Sequence, residues 1–229
     1  MTEEDIQEAD RIVRLAFGTF RGHEDPENYR ADSRYAYPRY NADPSASFVA
    51  EHNGKIIGSN FGLHWGSVGI FGPLTIHPEY WDKGIGSKLM QSVLGCFEKW
   101  GVTHSGAMTF ANSPKHINLY RKFGYNPRFL IPVMSKKMES EPTPSNPKSA
   151  WLRFSEFKES QERHLESCRQ ITNTVYPGLD LELEISAVDK LSLGDTIILF
   201  DESKEYKIGI RPTKVQASLD TAIICLLNC

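Results

Sequence analysis

The chain has 229 residues, enough for one ordinary domain and part of a second, and its 40% apolar and 24% charged residues are the proportions of a globular protein. A formal charge of −3 gives no general attraction to nucleic acid, and no basic stripe is interleaved with aromatics. No apolar run nears the ~20 residues of a membrane span. The acidic start Met1-Thr2-Glu3-Glu4-Asp5 is unlike a secretory signal, and Cys96, Cys168, Cys225 and Cys229 form no C-x-x-C pair, so the expectation is a cytoplasmic protein without metal, nucleic-acid or membrane partners.

From the N-terminus, Thr2 to Phe17 reads as an amphipathic helix, capped by Thr2, with Ile6, Ala9, Ile12, Val13, Ala16 and Phe17 on one face. The polar, aromatic-rich stretch from Gly18 to Ser47 has no clear period, and segments of that kind in small domains often bind ligands. The period then changes. Ser47 to Glu51 and Lys55 to His64 read as strands joined by Asn53-Gly54, a hairpin turn signal. A third strand is predicted from Val68 to Ile76, with Pro73 marking a bulge or a broken ladder, because proline has no N–H to donate.

A glycine-containing loop, Trp81 to Gly86, precedes a helix from Ser87 to Trp100, which buries Leu89, Met90, Val93, Leu94, Phe97 and Trp100 and stops at Gly101. Ser105 to Phe110 reads as a strand. Ser113 caps a short helix from Pro114 to Phe123, with Gly124 just past its end. Tyr125 to Lys137 reads as a closing strand or strand pair. Glu139 to Ser149, with three prolines, is a linker by composition. Beyond it come a strand at Trp151 to Phe157, a helix at Gln161 to Val175, a second helical stretch, a hairpin from Asp195 to Phe200 and Tyr206 to Ile210, and an apolar run at Ala222 to Leu227.

Chemistry concentrates in Leu74-Thr75-Ile76-His77-Pro78, Trp81-Asp82-Lys83-Gly84-Ile85-Gly86-Ser87 and the helix behind them. Strand, glycine loop and helix start together make an anion site: the first N–H groups of a helix have no internal partner, its dipole favours negative charge there, and glycine lets the backbone approach the anion closely. Lys83 adds a positive charge. The Walker spacing is absent, and the third glycine of the dinucleotide fingerprint is replaced by Leu89. A glycine pair alone is equally compatible with a tight turn before a helix.

The block resembles the acetyl-CoA-binding motif of the GNAT (general N-acetyltransferase) superfamily, Gln/Arg-x-x-Gly-x-Gly/Ala after a strand ending hydrophobic-x-Pro. Gly84, Gly86 and Ile76-His77-Pro78 match; Trp81 stands at the Gln/Arg position. Ser113-Pro114-Lys115-His116-Ile117-Asn118-Leu119-Tyr120-Arg121-Lys122-Phe123-Gly124-Tyr125 resembles the family's second motif, Asn-x-x-Ala-x-x-Leu-Tyr-x-x-x-Gly-Phe/Tyr. Leu119, Tyr120, Gly124 and Tyr125 match, whereas Ser113 replaces Asn and His116 replaces Ala. The resemblance covers residues 1–138. It implies an α/β fold with a mixed, mostly antiparallel sheet flanked by helices. After the 139–149 linker, residues 150–229 are expected to form a smaller α/β segment, a partial or degenerate repeat, since no second glycine loop follows.

The resemblance further implies that Trp81 to Ser87 and Ser113 hold coenzyme A, that Leu74, Thr75 and Ile76 pair with its pantetheine arm, and that one of their N–H groups polarises the thioester carbonyl. Tyr120 matches the general acid that protonates the leaving thiolate; its competing role is aromatic packing. The acetyl group would pass directly to an amine of a small molecule or peptide, without metal. An ammonium of pKa ~10.4 is almost wholly charged near neutral pH and needs a base. His64, Glu51 and Glu79 are the candidates, with His64 preferred. His77 takes no part, and Cys96 reads as packing. The alternative is a non-catalytic module that senses or binds coenzyme A.

Overall fold

The computed structural model describes residues 1–130, 150–156, 161–200 and 206–212. The backbone N–H of Thr2 donates to the Asp5 carboxylate at 2.7 Å, and one 3-10 turn leads into helix α1 (Ile6–Arg21). Ile6, Ala9, Ile12, Val13 and Ala16 are its buried stripe. The helix runs a turn past its expected end at Phe17 and stops at Gly22, whose φ of 67° suits a glycine C-cap. The aperiodic stretch that follows contains helix α2 (Ala36–Ala42). Its start is held from a distance: the buried Asp10 carboxylate accepts the N–H groups of Tyr35 at 2.6 Å and Ala36 at 2.7 Å.

Strands β1 (Ser47–His52) and β2 (Lys55–Trp65) pair through the predicted turn, in which Asn53 and Gly54 both have positive φ. The third predicted strand is two pieces, β3 (Val68–Phe71) and β4 (Thr75–Ile76), both antiparallel to β2. Phe71 pairs with Gly62 and Thr75 with Ser59, so Gly72, Pro73 and Leu74 oppose only Asn60 and Phe61. That is a bulge, at the cis Gly72–Pro73 bond, where Pro73 was expected to interrupt the ladder.

Helix α3 (Ile85–Trp100) covers one face of the sheet, where Phe71 packs with Met90, Val93 and Phe97. Helices α1 and α2 cover the other, where Phe61 packs with Ile6, Ala9 and Ala36. Strand β5 (His104–Gly106) runs parallel to β3 and is shorter than the predicted Ser105–Phe110. Because β5 pairs with β3 and β4 pairs with β2 alone, β4 and β5 part beyond the bulge. Helix α4 (Pro114–Arg121) follows its Ser113 cap. Residues 125–130 form no strand; the rest of the predicted closing strand and the 139–149 linker lie outside the described residues.

In the C-terminal part, β6 (Ala150–Arg153), α5 (Gln161–Val175), α6 (Glu182–Lys190), β7 (Gly194–Phe200) and β8 (Tyr206–Pro212) form a three-stranded antiparallel sheet, order β6-β7-β8, with two helices. The predicted strand at Trp151 is confined to β6. The apolar run at 222–227 lies outside the described residues. This part shares a core with the β2–β3 turn: Val68 is buried with Phe154, Leu165, Leu181 and Ile185, and Trp65 packs against them. Ser67 N–H donates to Gly178 C=O at 2.8 Å. The approach requires glycine, since a Cβ on Gly66 would meet that same carbonyl oxygen at 2.1 Å.

Candidate functional site

A cleft of about 430 Å³ opens where β4, the glycine loop, α3 and α4 converge, with the last turns of α1 as its far wall. Of the residues expected to hold a ligand, Leu74, Thr75, Ile76, Trp81, Asp82, Gly84, Ile85, Gly86 and Ser87 line it. Gly84, with φ of 78°, is the residue before α3. The first bonds of the helix return to it, from Ser87 N–H at 3.1 Å and Lys88 N–H at 3.4 Å. The N–H groups of Ile85 and Gly86 precede that first bond and belong to the unpaired start of the helix.

The strand wall can be resolved group by group. Ser59 pairs with Thr75, and His77 N–H donates to Ile57 C=O at 2.8 Å. Antiparallel ladders alternate with period two, so the backbone polar groups of Thr75 face β2 and those of Ile76 face the free edge. The Ile76 carbonyl is already used: the indole N–H of Trp81 donates to it at 2.7 Å. Of the three residues expected to offer backbone contacts, Thr75 is therefore turned away, and Ile76 N–H is a donor on the open edge. The Thr75 hydroxyl lies 3.2 Å from that of Ser59, buried between strands.

Trp81 departs from the motif but has a structural role. Besides tying the loop to β4, its ring lies 4.7 Å under the Lys115 ammonium, which also forms a 2.9 Å ion pair with Asp82. Loop and α4 are thereby clamped together. Lys83 does not face the cleft; its ammonium lies 4.7 Å over the Tyr80 ring, and it borders a separate depression beside β1 with His52 and Lys88.

Four expected site residues do not line the cleft: Lys83, Ser113, Tyr120 and His64. Ser113 is buried, and its hydroxyl caps α4 by accepting the His116 N–H at 3.4 Å. Tyr120 sits behind the lining residue Leu119, edge-on to Phe71 at 5.3 Å between ring centres. Burial pushes its phenol up to about 12, and a bond with the Thr109 side chain pulls the other way. His64 is on the α3 face, stacked on Trp100 with ring centres 4.7 Å apart. β2 alternation sends it to the face opposite α1, so the residue expected to be the base lies outside the cleft. Glu51 and Glu79 are exposed and also outside the cleft.

The structure adds residues the sequence reading left unassigned. Ala16, Phe17 and Phe20 of α1 form the far wall, and Lys115, His116, Asn118 and Leu119 of α4, with Lys122 just past its end, the near one. Phe20 was missed because the helix was ended one turn early. His116 was visible only as a departure from a small residue. Burial, then the neighbouring Lys115 ammonium, holds its imidazole below the ordinary histidine value. Among the described residues no group of three His, Cys, Asp or Glu side chains could hold a metal, and no helix is long and apolar enough to cross a membrane.

The family model for the acetyltransferase (GNAT) family matches residues 9–125. An acetyltransferase of Sodalis glossinidius is 26% identical over 100 residues, covering 44% of this chain and 70% of that protein. A solved structure from Pyrococcus horikoshii, assigned as an acetyltransferase, superposes with a TM-score of 0.58 at 14% identity, over 93% of this chain and 70% of that one. That superposition shows the shared fold, and it reaches past β5 and α4 into the C-terminal part. A glycine loop on a helix start beside a bulged strand with one free edge, and a family model spanning both, lead to one assignment: the chain belongs to the GNAT acetyltransferase family.

Proposed function

We propose that the chain is an acetyl-CoA-dependent N-acetyltransferase whose donor site is the cleft between β4, α3 and α4. One observation carries this reading: the unpaired start of α3 at Gly84–Gly86 adjoins the free edge of β4 at Ile76. The first suits a pyrophosphate. The second suits an extended amide-bearing arm, which can add to the edge of β4 as a strand would. The residues present fit the ligand, since neither Gly84 nor the backbone of Ile85 is screened by a side chain at residue 84, and Lys115 and Lys122 supply positive charge at the rim.

In this reading the α3 N–H groups hold the pyrophosphate, and Ile76 N–H donates to the thioester carbonyl oxygen, where negative charge grows as the amine attacks. A neutral amine forms the C–N bond, the C–S bond breaks, and the amine proton passes to solvent as the thiolate leaves. Tyr120, kept protonated by burial, is proposed to donate a hydrogen bond toward the sulfur. With a pKa near 12 it steadies the thiolate rather than surrendering its proton outright, and solvent completes the protonation. The acceptor is a small-molecule or peptide amine.

Residues 150–229 are proposed to be a partial or degenerate repeat of the opening half of the domain. Two helices followed by an antiparallel hairpin, α5-α6-β7-β8, repeat the order α1-α2-β1-β2. The test of function is calorimetric titration of the full chain with acetyl-CoA, with ATP and NAD as controls, followed by thiol release with amine acceptors. Saturable acetyl-CoA binding with thiol release supports the reading. Binding without release for any acceptor points instead to a coenzyme A sensor, and no binding overturns both.

A further inference from the structure

His116 is a polar side chain without a partner in an otherwise apolar part of the cleft. It lies edge-on to Phe20 at 5.1 Å between ring centres and near Phe110 at 6.3 Å. Its neighbour Lys115 turns back to the anion loop, to Asp82 and Trp81. The two residues divide the α4 wall: Lys115 serves the charged end, and His116 faces the aromatic end.

The two ring nitrogens differ. Nδ1 is enclosed and has no hydrogen-bond partner. Nε2 makes no bond to the protein either but is not enclosed, and the residue lines the cleft. A buried N–H without an acceptor is costlier than a bare lone pair. The proton of the neutral ring therefore belongs on Nε2. Burial keeps the ring neutral near pH 7, so the cleft receives an N–H donor and not a base: to accept a proton at Nε2, the ring would have to leave an N–H orphaned at Nδ1.

We propose that His116 Nε2–H is a ligand-binding donor that holds a carbonyl oxygen of the uncharged, amide-bearing arm of the acyl donor. The inference rests on the cleft being the acetyl-CoA site. An amide or thioester carbonyl is the matching group, since the arm is the uncharged part of the donor and its phosphates are drawn to the α3 start and Lys115.

The test uses the full chain. Calorimetry compares acetyl-CoA with adenosine 3′,5′-bisphosphate, which lacks the arm, on the wild type, His116→Ala and His116→Gln. Expected is a rise of about three- to tenfold in the Kd for acetyl-CoA in the alanine variant, much of it restored by glutamine, whose amide N–H can donate. Binding of the bisphosphate should be the same in all three. Equal acetyl-CoA affinity in wild type and alanine variant overturns the proposal while leaving the donor-site reading intact. Absence of acetyl-CoA binding by the wild type overturns both. Imidazole ¹⁵N correlation spectra of the wild type give a reading independent of any variant's folding. The Nε2–H tautomer, with its Nε2 signal moving on addition of acetyl-CoA, is expected. An Nδ1–H tautomer, or a ring blind to the ligand, sinks the assignment.

Discussion

The Trp81 indole donates to the Ile76 carbonyl at 2.7 Å, five residues back along the chain and across the mouth of the cleft. This bond fixes the glycine loop against the strand that it serves, so the anion cradle and the free N–H of Ile76 are held in one geometry. Trp81→Phe keeps a ring under Lys115 and removes only the indole donor. Acetyl-CoA affinity is expected to fall about three- to tenfold, the worth of one neutral hydrogen bond, with the melting midpoint little changed. Calorimetry beside a thermal melt separates the two; full affinity in the variant would show that the loop is held without the indole.

Gly86 at the start of α3 lies against Leu119 of α4, both lining the cleft. A Cβ there would meet the Leu119 side chain at 3.3 Å, a contact that a flexible leucine can relieve. Gly86→Asp should therefore fold, and it places a carboxylate among the N–H groups of α3. Loss of acetyl-CoA affinity by more than about tenfold is expected, from like-charge repulsion at the pyrophosphate. Unaltered binding by a folded variant would move the phosphates elsewhere.

Much of this was legible before any coordinates. Asn53-Gly54 fixed the hairpin, Pro73 marked the bulge, and the glycine pair located the start of α3, because each is a local backbone signal that needs no partner. What escaped depended on distant contacts. Helix α2 is aperiodic and starts on Asp10, 26 residues away from Ala36 in sequence. The eclipse of Thr75 by β2 and the exile of His64 to the α3 face both follow from sheet register, which alternation hints at but only pairing sets. The use of Ser113 as a cap was readable; that this leaves its hydroxyl buried and out of the cleft was not.

Asp10 offers a test of how α2 is held. Its Oδ1 accepts both N–H groups, and burial raises its pKa above 3.8 despite those bonds, with the Arg14 charge a smaller opposing influence. Since the folded value exceeds the unfolded one, ionised Asp10 costs stability, and its contribution is most favourable below the unfolded value and lost as pH rises through the folded one. Asp10→Asn keeps the accepting oxygen and removes the charge. It should be at least as stable as the wild type at pH 7 in urea melts, while Asp10→Ala should lose about 1–3 kcal/mol from two orphaned buried donors. A destabilised asparagine variant would mean that the charge itself anchors α2.

Glu184 of α6 accepts from Arg39 of α2 at 3.0 Å and from the Trp65 indole at 3.1 Å, so one carboxylate joins the C-terminal part to helix α2 and to the end of strand β2. The Arg39 and Glu184 side chains are only 12% and 22% exposed, which limits screening of the pair. Glu184→Ala is expected to lower stability by about 1–3 kcal/mol, and Glu184→Gln by less, in denaturant melts followed by tryptophan fluorescence. An unchanged midpoint would mean that the two parts are not docked through this contact in solution.

Tyr120 separates packing from chemistry through its pH behaviour. With the folded pKa pushed up to about 12 by burial against ~10 unfolded, the neutral phenol favours the folded state fully below pH 10, and that advantage drains away as pH rises from 10 toward 12. Tyr120→Phe retains the ring against Phe71 and should flatten this alkaline loss of stability. If the hydroxyl also steadies the leaving thiolate, the variant should bind acetyl-CoA as the wild type does and turn over about a hundredfold more slowly, the cost of removing one donor from developing charge. Flattened stability with undiminished turnover would leave Tyr120 a packing residue alone, and the sulfur would then be protonated from solvent without its help.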